Sequence, residues 1–215
     1  MQIGLTDGIF YVAVLIMSVV IHEVAHGYSA YLLGDDTAKL QGRLTLNPIK
    51  HLDPFGSVML PLLLVLTNSG FIIGWAKPVP YNPRNLRNGR KGDFIVSISG
   101  ITANLIIATI FGLIIRFLPA FGLPLDSVFI LSFLKISSII VIINLVLALF
   151  NLIPIAPLDG SKVLFSILPP RLRFIENFIE RWGILLLVLF IVFVWKYLSP
   201  VIYIAFSTIT GVNLF

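Results

Sequence analysis

The stretch IMSVVIHEVAHGYSAYLLG, residues 16–34, places His22, Glu23 and His26 in the middle of an apolar segment. About 20 mainly apolar residues are enough for a helix to cross the hydrocarbon core of a bilayer, and the segment around this stretch meets that requirement. Ionisable side chains inside such a helix are energetically unfavourable, and where they occur they usually have a function. The stretch therefore predicts a membrane-spanning helix that carries a functional polar site.

The spacing of these residues indicates a metal site. His22 and His26 are four residues apart, so they share one face of a helix and can bind the same ion, while Glu23 is placed to polarise a water molecule on that ion. Catalytic zinc usually takes three protein ligands plus water, so one further ligand is needed. The chain has no cysteine, which leaves nitrogen and oxygen ligands. We favour Asp159, in NLIPIAPLDG, over His51, which lies in a polar loop.

The composition of the whole chain is that of a membrane protein. Of its 215 residues 58% are hydrophobic and 12% are charged, and the mean hydropathy is +1.01. Soluble domains carry about 25% charged residues. The apolar segments are residues 8–33, 55–75, 94–118, 128–153 and 182–198, with a shorter piece at 201–215. We therefore predict an all-α polytopic membrane protein with about five to six membrane helices.

We expect these segments to form a single domain over residues 1–215. Its catalytic core covers about residues 8–168, and apolar helices at about residues 174–215 complete it. No cluster of basic residues precedes the first apolar segment, so we expect that segment to stay in the mature protein rather than to be a removable signal peptide.

The basic residues predict the orientation in the membrane. They gather in the loops at 35–54, 76–93 and 154–173, whereas the turn at 119–127 has none. By the positive-inside rule the three basic loops are cytoplasmic and the N-terminus is outside. The segment 55–75 must then enter and leave on one side, as a re-entrant or broken segment. The alternative is a single crossing, with the loop at 76–93 outside.

The orientation has two consequences. His22, His26 and Asp159 all come to the cytoplasmic end of their segments, which brings the metal site toward the cytoplasm. The net charge of +5 is explained by loops that face a membrane, so we expect no nucleic acid partner.

The proline-rich stretch AKPVPYNP predicts a short extended, β-like segment near residues 72–83, whose edge could take up an unwound substrate as an added strand.

Three motifs, HEVAH, SISGITAN and NLIPIAPLDG, occur in this order, together with DPFGSVMLPLLL and GWAKPVPYNPRNLRNGRKGD. In these motifs, over roughly residues 1–168, the chain resembles the site-2 proteases, and in particular the compact prokaryotic members without a PDZ domain. The resemblance implies one zinc ion per chain, held by His22, His26 and Asp159, with Glu23 as the catalytic base. It also implies a transmembrane protein substrate, cleaved within its membrane helix during regulated intramembrane proteolysis.

Other polar residues have two interpretations each. The resemblance matches Asn151 to an asparagine that binds substrate or stabilises the oxyanion, whereas the alternative is that it satisfies nearby backbone groups. Gly100 and Asn104, four residues apart, have one interpretation as a site of close helix packing with a polar contact. In the other, they support the metal ligands from behind. His51 is either such a supporting group or an interfacial loop residue. We expect Asn144 to hydrogen-bond between helices.

Competing functions remain open at this stage. A metal transporter needs polar residues across the whole membrane, and the outer halves of the segments offer little beyond Lys135 and Arg116. A membrane di-iron oxygenase needs many more than the three histidines present. A scaffold that holds metal without catalysis is opposed by the presence of Glu23. Zinc-dependent proteolysis in the membrane is the function that we expect, with transport or a scaffold as the alternatives.

Overall fold

The computed structural model describes residues 5–60, 63, 66, 67, 76–122, 124 and 126–212. These residues form α-helices joined by short 3₁₀ and π turns. The α-helices are α1 (Leu5–Leu32), α2 (Thr37–Leu40), α3 (Arg90–Phe117), α4 (Val128–Asn151), α5 (Asp159–Ile167), α6 (Arg173–Leu189) and α7 (Trp195–Thr210). The 3₁₀ turns are Pro48–His51, Pro83–Asn85, Leu118–Phe121 and Pro170–Leu172, and the π turns are Pro54–Met59 and Phe190–Val194. Within the described ranges there is no β-strand.

Four helical runs among the described residues are long and apolar enough to cross a membrane: Phe10–Leu32, Arg90–Phe121, Val128–Asn151 and Pro170–Thr210. The predicted all-α polytopic fold is thereby confirmed. The last run differs from the sequence expectation, because the apolar piece at 182–198 continues through Pro200, which lies inside α7, to Thr210 as one helical run. A proline removes one helical hydrogen bond, a loss that neighbouring helices make tolerable in membrane-spanning segments.

Helix α3 is the centre of the bundle, and it packs against α1, α4, α5 and α7. Small residues make this close packing feasible. Ala108 is fully buried in an apolar cluster with Val141 and Phe206, and a Cβ atom added at Gly112 would collide with Ile209 of α7. The outward faces of α6 and α7 remain apolar and exposed, as expected of surfaces that face lipid.

Contacts at the two ends of the bundle give the directions of the helices. Trp195 packs its ring against Phe150 at the end of α4, with the ring centroids 5.8 Å apart. At the opposite end, the Arg116 side chain donates a hydrogen bond to the carbonyl of Thr208. Helix α4 therefore runs one way, and α3 and α7 run the other. Helix α1 runs in the direction of α4, because His22 contacts Asn104 and His26 contacts Val96 on α3. The three basic loops come to one end of the bundle, and the turn after α3 comes to the opposite end.

The two ends of the segment predicted to be re-entrant lie side by side. The Lys77 N–H donates to the His51 carbonyl at 2.8 Å, and the Arg43 guanidinium donates to the carbonyls of Lys77 and Pro78. A segment whose ends meet in this way does not fit the alternative of a single crossing. Residues 61, 62, 64, 65 and 68–75, including the first part of the stretch expected to be extended, lie outside the described residues. Residues 76–82 form neither helix nor strand.

Asp35 holds the loop at 76–86 against the end of α1. Its fully buried carboxylate accepts hydrogen bonds from the Asn82 N–H at 2.7 Å, the Asn85 side-chain amide at 2.8 Å and the Thr37 hydroxyl at 2.6 Å. Burial alone would raise the pKa of Asp35, but these donors outweigh it and the pKa lies below its ordinary value. The stabilisation is therefore fully present at neutral pH and is lost only as the pH falls through the lowered pKa.

We predict that Asp35→Ala lowers the free energy of unfolding by about 3 kcal/mol, because it leaves several donors to a charged acceptor without a partner. The measurement is thermal unfolding in detergent, followed by tryptophan fluorescence, together with the rate of tryptic cleavage at Arg84 and Arg87. The neighbouring and exposed Asp36 provides the matched control, Asp36→Ala. Equal unfolding midpoints and cleavage rates for the two variants would contradict the role given to Asp35.

Candidate metal centre

Three side chains from distant parts of the sequence converge beside α3. The Nε2 atoms of His22 and His26 are 3.0 Å apart, and each lies close to Oδ2 of Asp159, at 2.9 Å and 3.0 Å respectively. In the part of the chain that the structure describes, these residues form the one group of three or more His, Cys, Asp or Glu side chains able to hold a metal ion. His22 and His26 are 5% and 7% exposed, so the group is largely shielded from solvent.

The separations suit a zinc ion. Ligand atoms about 2.0–2.1 Å from a tetrahedral zinc stand about 3.3 Å from one another, close to the 2.9–3.0 Å observed between these donors. Two imidazoles and one carboxylate also match the donor set of catalytic zinc, which leaves the fourth position to water or substrate. The residues therefore fit zinc in both chemistry and spacing.

Helix α3 orients both imidazoles. The Val96 carbonyl accepts a hydrogen bond from Nδ1 of His26 at 2.7 Å, and Oδ1 of Asn104 accepts one from Nδ1 of His22 at 2.8 Å. A carbonyl oxygen can only accept, so each Nδ1 carries the proton and each Nε2 keeps its lone pair for a metal. The structure thus brings Asn104 directly behind a ligand residue.

Gly100 lies beneath the ligand atoms. A Cβ atom added at this position would come within 2.5 Å of His26 Nε2 and 2.7 Å of His22 Nε2. Carbon and nitrogen atoms cannot approach so closely without displacement of one of them. The absence of a side chain at Gly100 therefore provides the space in which the three ligand atoms meet.

Asp159 is the first residue of α5, and close packing of the preceding turn fixes its position. The next residue, Gly160, lies against the backbone carbonyls of Leu152 and Ile153, where a Cβ atom would not fit. While Oδ2 of Asp159 faces the imidazoles, Oδ1 lies 3.8 Å from the Lys162 ammonium group, one helical turn further on. The carboxylate therefore lies between the two imidazoles on one side and a half-exposed cation on the other.

Glu23 is near the ligand atoms without belonging to the group. Its Oε2 accepts a hydrogen bond from the Val79 N–H at 2.8 Å, and Val79 itself is 5% exposed. The two segments approach closely because α1 has a glycine at this level: a Cβ atom added at Gly27 would lie 2.6 Å from the Val79 side chain. The loop at 76–82 thus packs along α1 beside the metal ligands and holds one carboxylate oxygen of Glu23.

Most donors in this loop are already used. The N–H groups of Lys77, Val79 and Asn82 bind acceptors within the protein, and Pro78 and Pro80 have no N–H. A substrate strand added along this stretch would therefore hydrogen-bond mainly to the carbonyl groups of the loop. The role of this stretch as an edge for an added substrate strand stays a prediction.

The structure does not bring two of the candidate residues to the metal ligands. His51 is 1% exposed and donates to the Thr45 carbonyl at 2.8 Å, so it is buried in the loop rather than interfacial. Asn151 donates to the Leu147 carbonyl of its own helix at 3.0 Å. Its expected role in binding substrate or the oxyanion stays a prediction.

Sequence reasoning missed two contributors. Lys162 is three residues after Asp159, so helical spacing alone could have identified it. The Val79 N–H carries no signal in the sequence, since any residue except proline has such a group. Only the fold brings it to Glu23.

Comparisons with known proteins agree with this site. The family model described as Peptidase family M50 matches residues 126–194, which include Asp159. The chain is 45% identical over 183 residues to "Putative zinc metalloprotease YwhC" of Bacillus subtilis, covering 85% of this chain and 80% of that protein. It is 30% identical over 189 residues to "Putative zinc metalloprotease Rip2" of Mycolicibacterium smegmatis, covering 86% and 67% respectively. No solved structure matches the chain.

We predict that Gly100→Ala lowers zinc affinity by more than about 100-fold, which is the upper end of the losses seen when only groups behind the ligands change. Alanine favours a helix more than glycine does, so α3 itself should persist. Competition with a fluorescent zinc chelator measures the affinity, and circular dichroism checks the fold. The control is Gly8→Ala, where an added Cβ meets nothing within 4 Å. Native zinc affinity in Gly100→Ala would show that the space at Gly100 is not required.

Proposed function

Because this chain belongs to Peptidase family M50 and is a zinc-dependent metalloendopeptidase, we propose that it hydrolyses peptide bonds within transmembrane helices of membrane-anchored regulatory proteins. Membership of the family confirms the resemblance to the site-2 proteases. The observation that carries the proposal is the position of the ligands. His26 lies on a membrane-spanning helix, six residues before α1 ends at Leu32, or about 9 Å along its axis.

In this proposal His22, His26 and Asp159 hold the zinc ion. When bound, zinc supplies Lewis acidity for both the scissile carbonyl and the attacking water. The protein contributes the orientation of the donors, since α3 fixes the imidazoles and the turn before α5 fixes the carboxylate. The enclosure of the site strengthens electrostatic interactions within it.

Glu23 acts as the catalytic base in this proposal. The Val79 N–H holds Oε2, which leaves Oε1 to accept a proton from the attacking water and to deliver it later to the leaving amine. A carboxylate held by a backbone donor loses little conformational freedom when the reaction begins. The loop at 76–82 thereby contributes to catalysis through its backbone.

The substrate must be locally unwound, because a helix uses its own carbonyls in hydrogen bonds. We therefore expect single-span substrates with helix-destabilising residues near the cut site. The three basic loops share the end of the bundle that carries the ligands, and the positive-inside rule assigns that end to the cytoplasm. Cleavage should then occur toward the cytoplasmic side of the cell membrane.

Transport is the less suitable alternative. Away from the ligands, helices α3, α4 and α7 pack through an apolar cluster of Ala108, Ile115, Val141, Leu145 and Phe206. An ion crossing the bundle needs polar groups to replace its water, and this cluster provides none. A non-catalytic scaffold would not need a carboxylate held beside the ligands as Glu23 is.

We predict that Glu23→Gln keeps one zinc per chain but lowers cleavage by at least about 100-fold, because it removes the catalytic base. Asp159→Ala should lose both zinc and activity. The measurements are metal content by mass spectrometry and cleavage of tagged single-span membrane proteins in detergent, with the cut sites mapped on the products.

Several results would contradict this function. They are full cleavage by Glu23→Gln, cleavage that persists with a strong chelator, and cuts confined to loops outside the membrane helix. Zinc flux into liposomes that hold the pure protein, without any cleavage, would favour transport instead.

A second prediction concerns the backbone donor to Glu23. Val79→Pro removes the N–H, and we expect it to lower kcat about 10-fold or more while zinc stays bound, since the base loses its fixed position. Val79→Ala keeps the N–H but loses the contact with α1, and thus controls for packing. If both variants cleave at the same rate, the hydrogen bond to Glu23 has no catalytic role.

A further inference from the structure

We infer that Asn144 and Asn104 form a buried relay that fixes His22 in its metal-binding orientation, so that Asn144 is a positioning residue although it does not touch the ligand atoms. The inference rests on the proposed zinc site. The relay joins three helices: Nδ2 of Asn104 in α3 donates to Oδ1 of Asn144 in α4 at 3.1 Å, and Oδ1 of Asn104 faces His22 of α1 at 2.8 Å.

The direction of the relay follows from a single backbone group. The Ile140 carbonyl lies 2.9 Å from the Asn144 side-chain amide, and a carbonyl oxygen accepts hydrogen bonds but cannot donate them. The Asn144 NH₂ group must therefore point at Ile140, which turns Oδ1 of Asn144 toward Asn104.

The next links are then determined. Oδ1 of Asn144 requires the NH₂ group of Asn104, so Oδ1 of Asn104 must face Nδ1 of His22. That oxygen accepts a hydrogen bond from Nδ1–H, and Nε2 is left with its lone pair toward Asp159 and His26. A carbonyl one turn along α4 thus selects the tautomer of a ligand on another helix.

Burial leaves the two asparagine side chains of the relay without alternative hydrogen-bond partners. Asn104 and Asn144 are both 0% exposed, and neither the bilayer nor the apolar core offers them other partners. Reversing the Asn104 amide would bring its NH₂ group against Nδ1–H of His22 and its oxygen against the oxygen of Asn144. Two unfavourable contacts would replace two hydrogen bonds, so the reversed state is strongly disfavoured.

Ser18 is the last member of the chain and a useful test of it. Its hydroxyl accepts from the Asn144 side-chain amide at 2.9 Å. Because Ile140 already orients that amide, Ser18→Ala should leave the relay in place. The effect of substitutions should therefore decrease with the number of links from His22 and nearly vanish at Ser18.

The experiment measures zinc affinity, by chelator competition, and the Nδ1–H resonance of His22 in zinc-loaded protein labelled with ¹⁵N-histidine. Asn104→Leu should weaken zinc binding by about 10- to 100-fold and Asn144→Leu by about 10-fold, with the His22 resonance shifted or broadened by exchange in both. Asn144→Asp keeps an oxygen facing Asn104, so its affinity and spectrum should stay close to native. The matched control is Ser137→Ala, which removes another buried polar group of α4, one without a hydrogen-bond partner among the described residues.

The outcomes separate this inference from the proposed function. Failure of the unaltered protein to bind zinc would overturn the metal site itself. Native zinc affinity and an unchanged His22 resonance in a folded Asn144→Leu would overturn the relay but not the metal site. An equal loss of zinc affinity in Ser137→Ala and Asn144→Leu would do the same. Where Asn144→Leu does not fold, native affinity and an unchanged His22 resonance in a folded Asn104→Leu would overturn the relay, because Asn104 is the link between Asn144 and His22.

Discussion

The close contact between α1 and α3 is the constraint on which the rest of the structure depends. At this contact Gly100 leaves the space in which the ligand atoms meet, and α3 supplies the acceptors that orient both imidazoles. Polar groups in the bilayer core cannot hydrogen-bond to water, so each imidazole needs a hydrogen-bond partner in the protein on the side away from the metal. The two imidazoles and the groups that orient them therefore come from two helices that pack without a side chain between them at Gly100.

This contact also constrains the topology. Asp159 reaches the imidazoles of α1 only if α4 ends at the same end of the bundle as α1, and the hydrogen bond between Lys77 and the His51 carbonyl brings the two ends of the segment between them together. The basic loops, from which the orientation in the membrane is predicted, lie at this same end of the bundle. One arrangement of the helices brings both the basic loops and the metal ligands to the same end of the bundle. A chain that crossed the membrane once more would separate Asp159 from His22 and His26.

The sequence was most informative where one helix or one short motif carried the information. The spacing of His22 and His26 predicts a shared face without knowledge of the fold, and the scarcity of other ligand types points to Asp159. The bundle of apolar helices was equally predictable. Features that depend on tertiary packing could not be predicted from the sequence, because they arise where distant segments meet. They are the burial of His51, the continuity of the last helical run through Pro200, and the backbone N–H that holds Glu23.

The loop at 76–82 links the metal site to the segment at 55–75. Its Lys77 is bonded to His51 and Arg43 at the base of that segment, and two residues later Val79 holds Glu23. Prolines on both sides of Val79 restrict the backbone of this link. Glu23 lies on α1 with His22 and His26, but its carboxylate is held by the loop at 76–82, whereas α3 holds the two imidazoles.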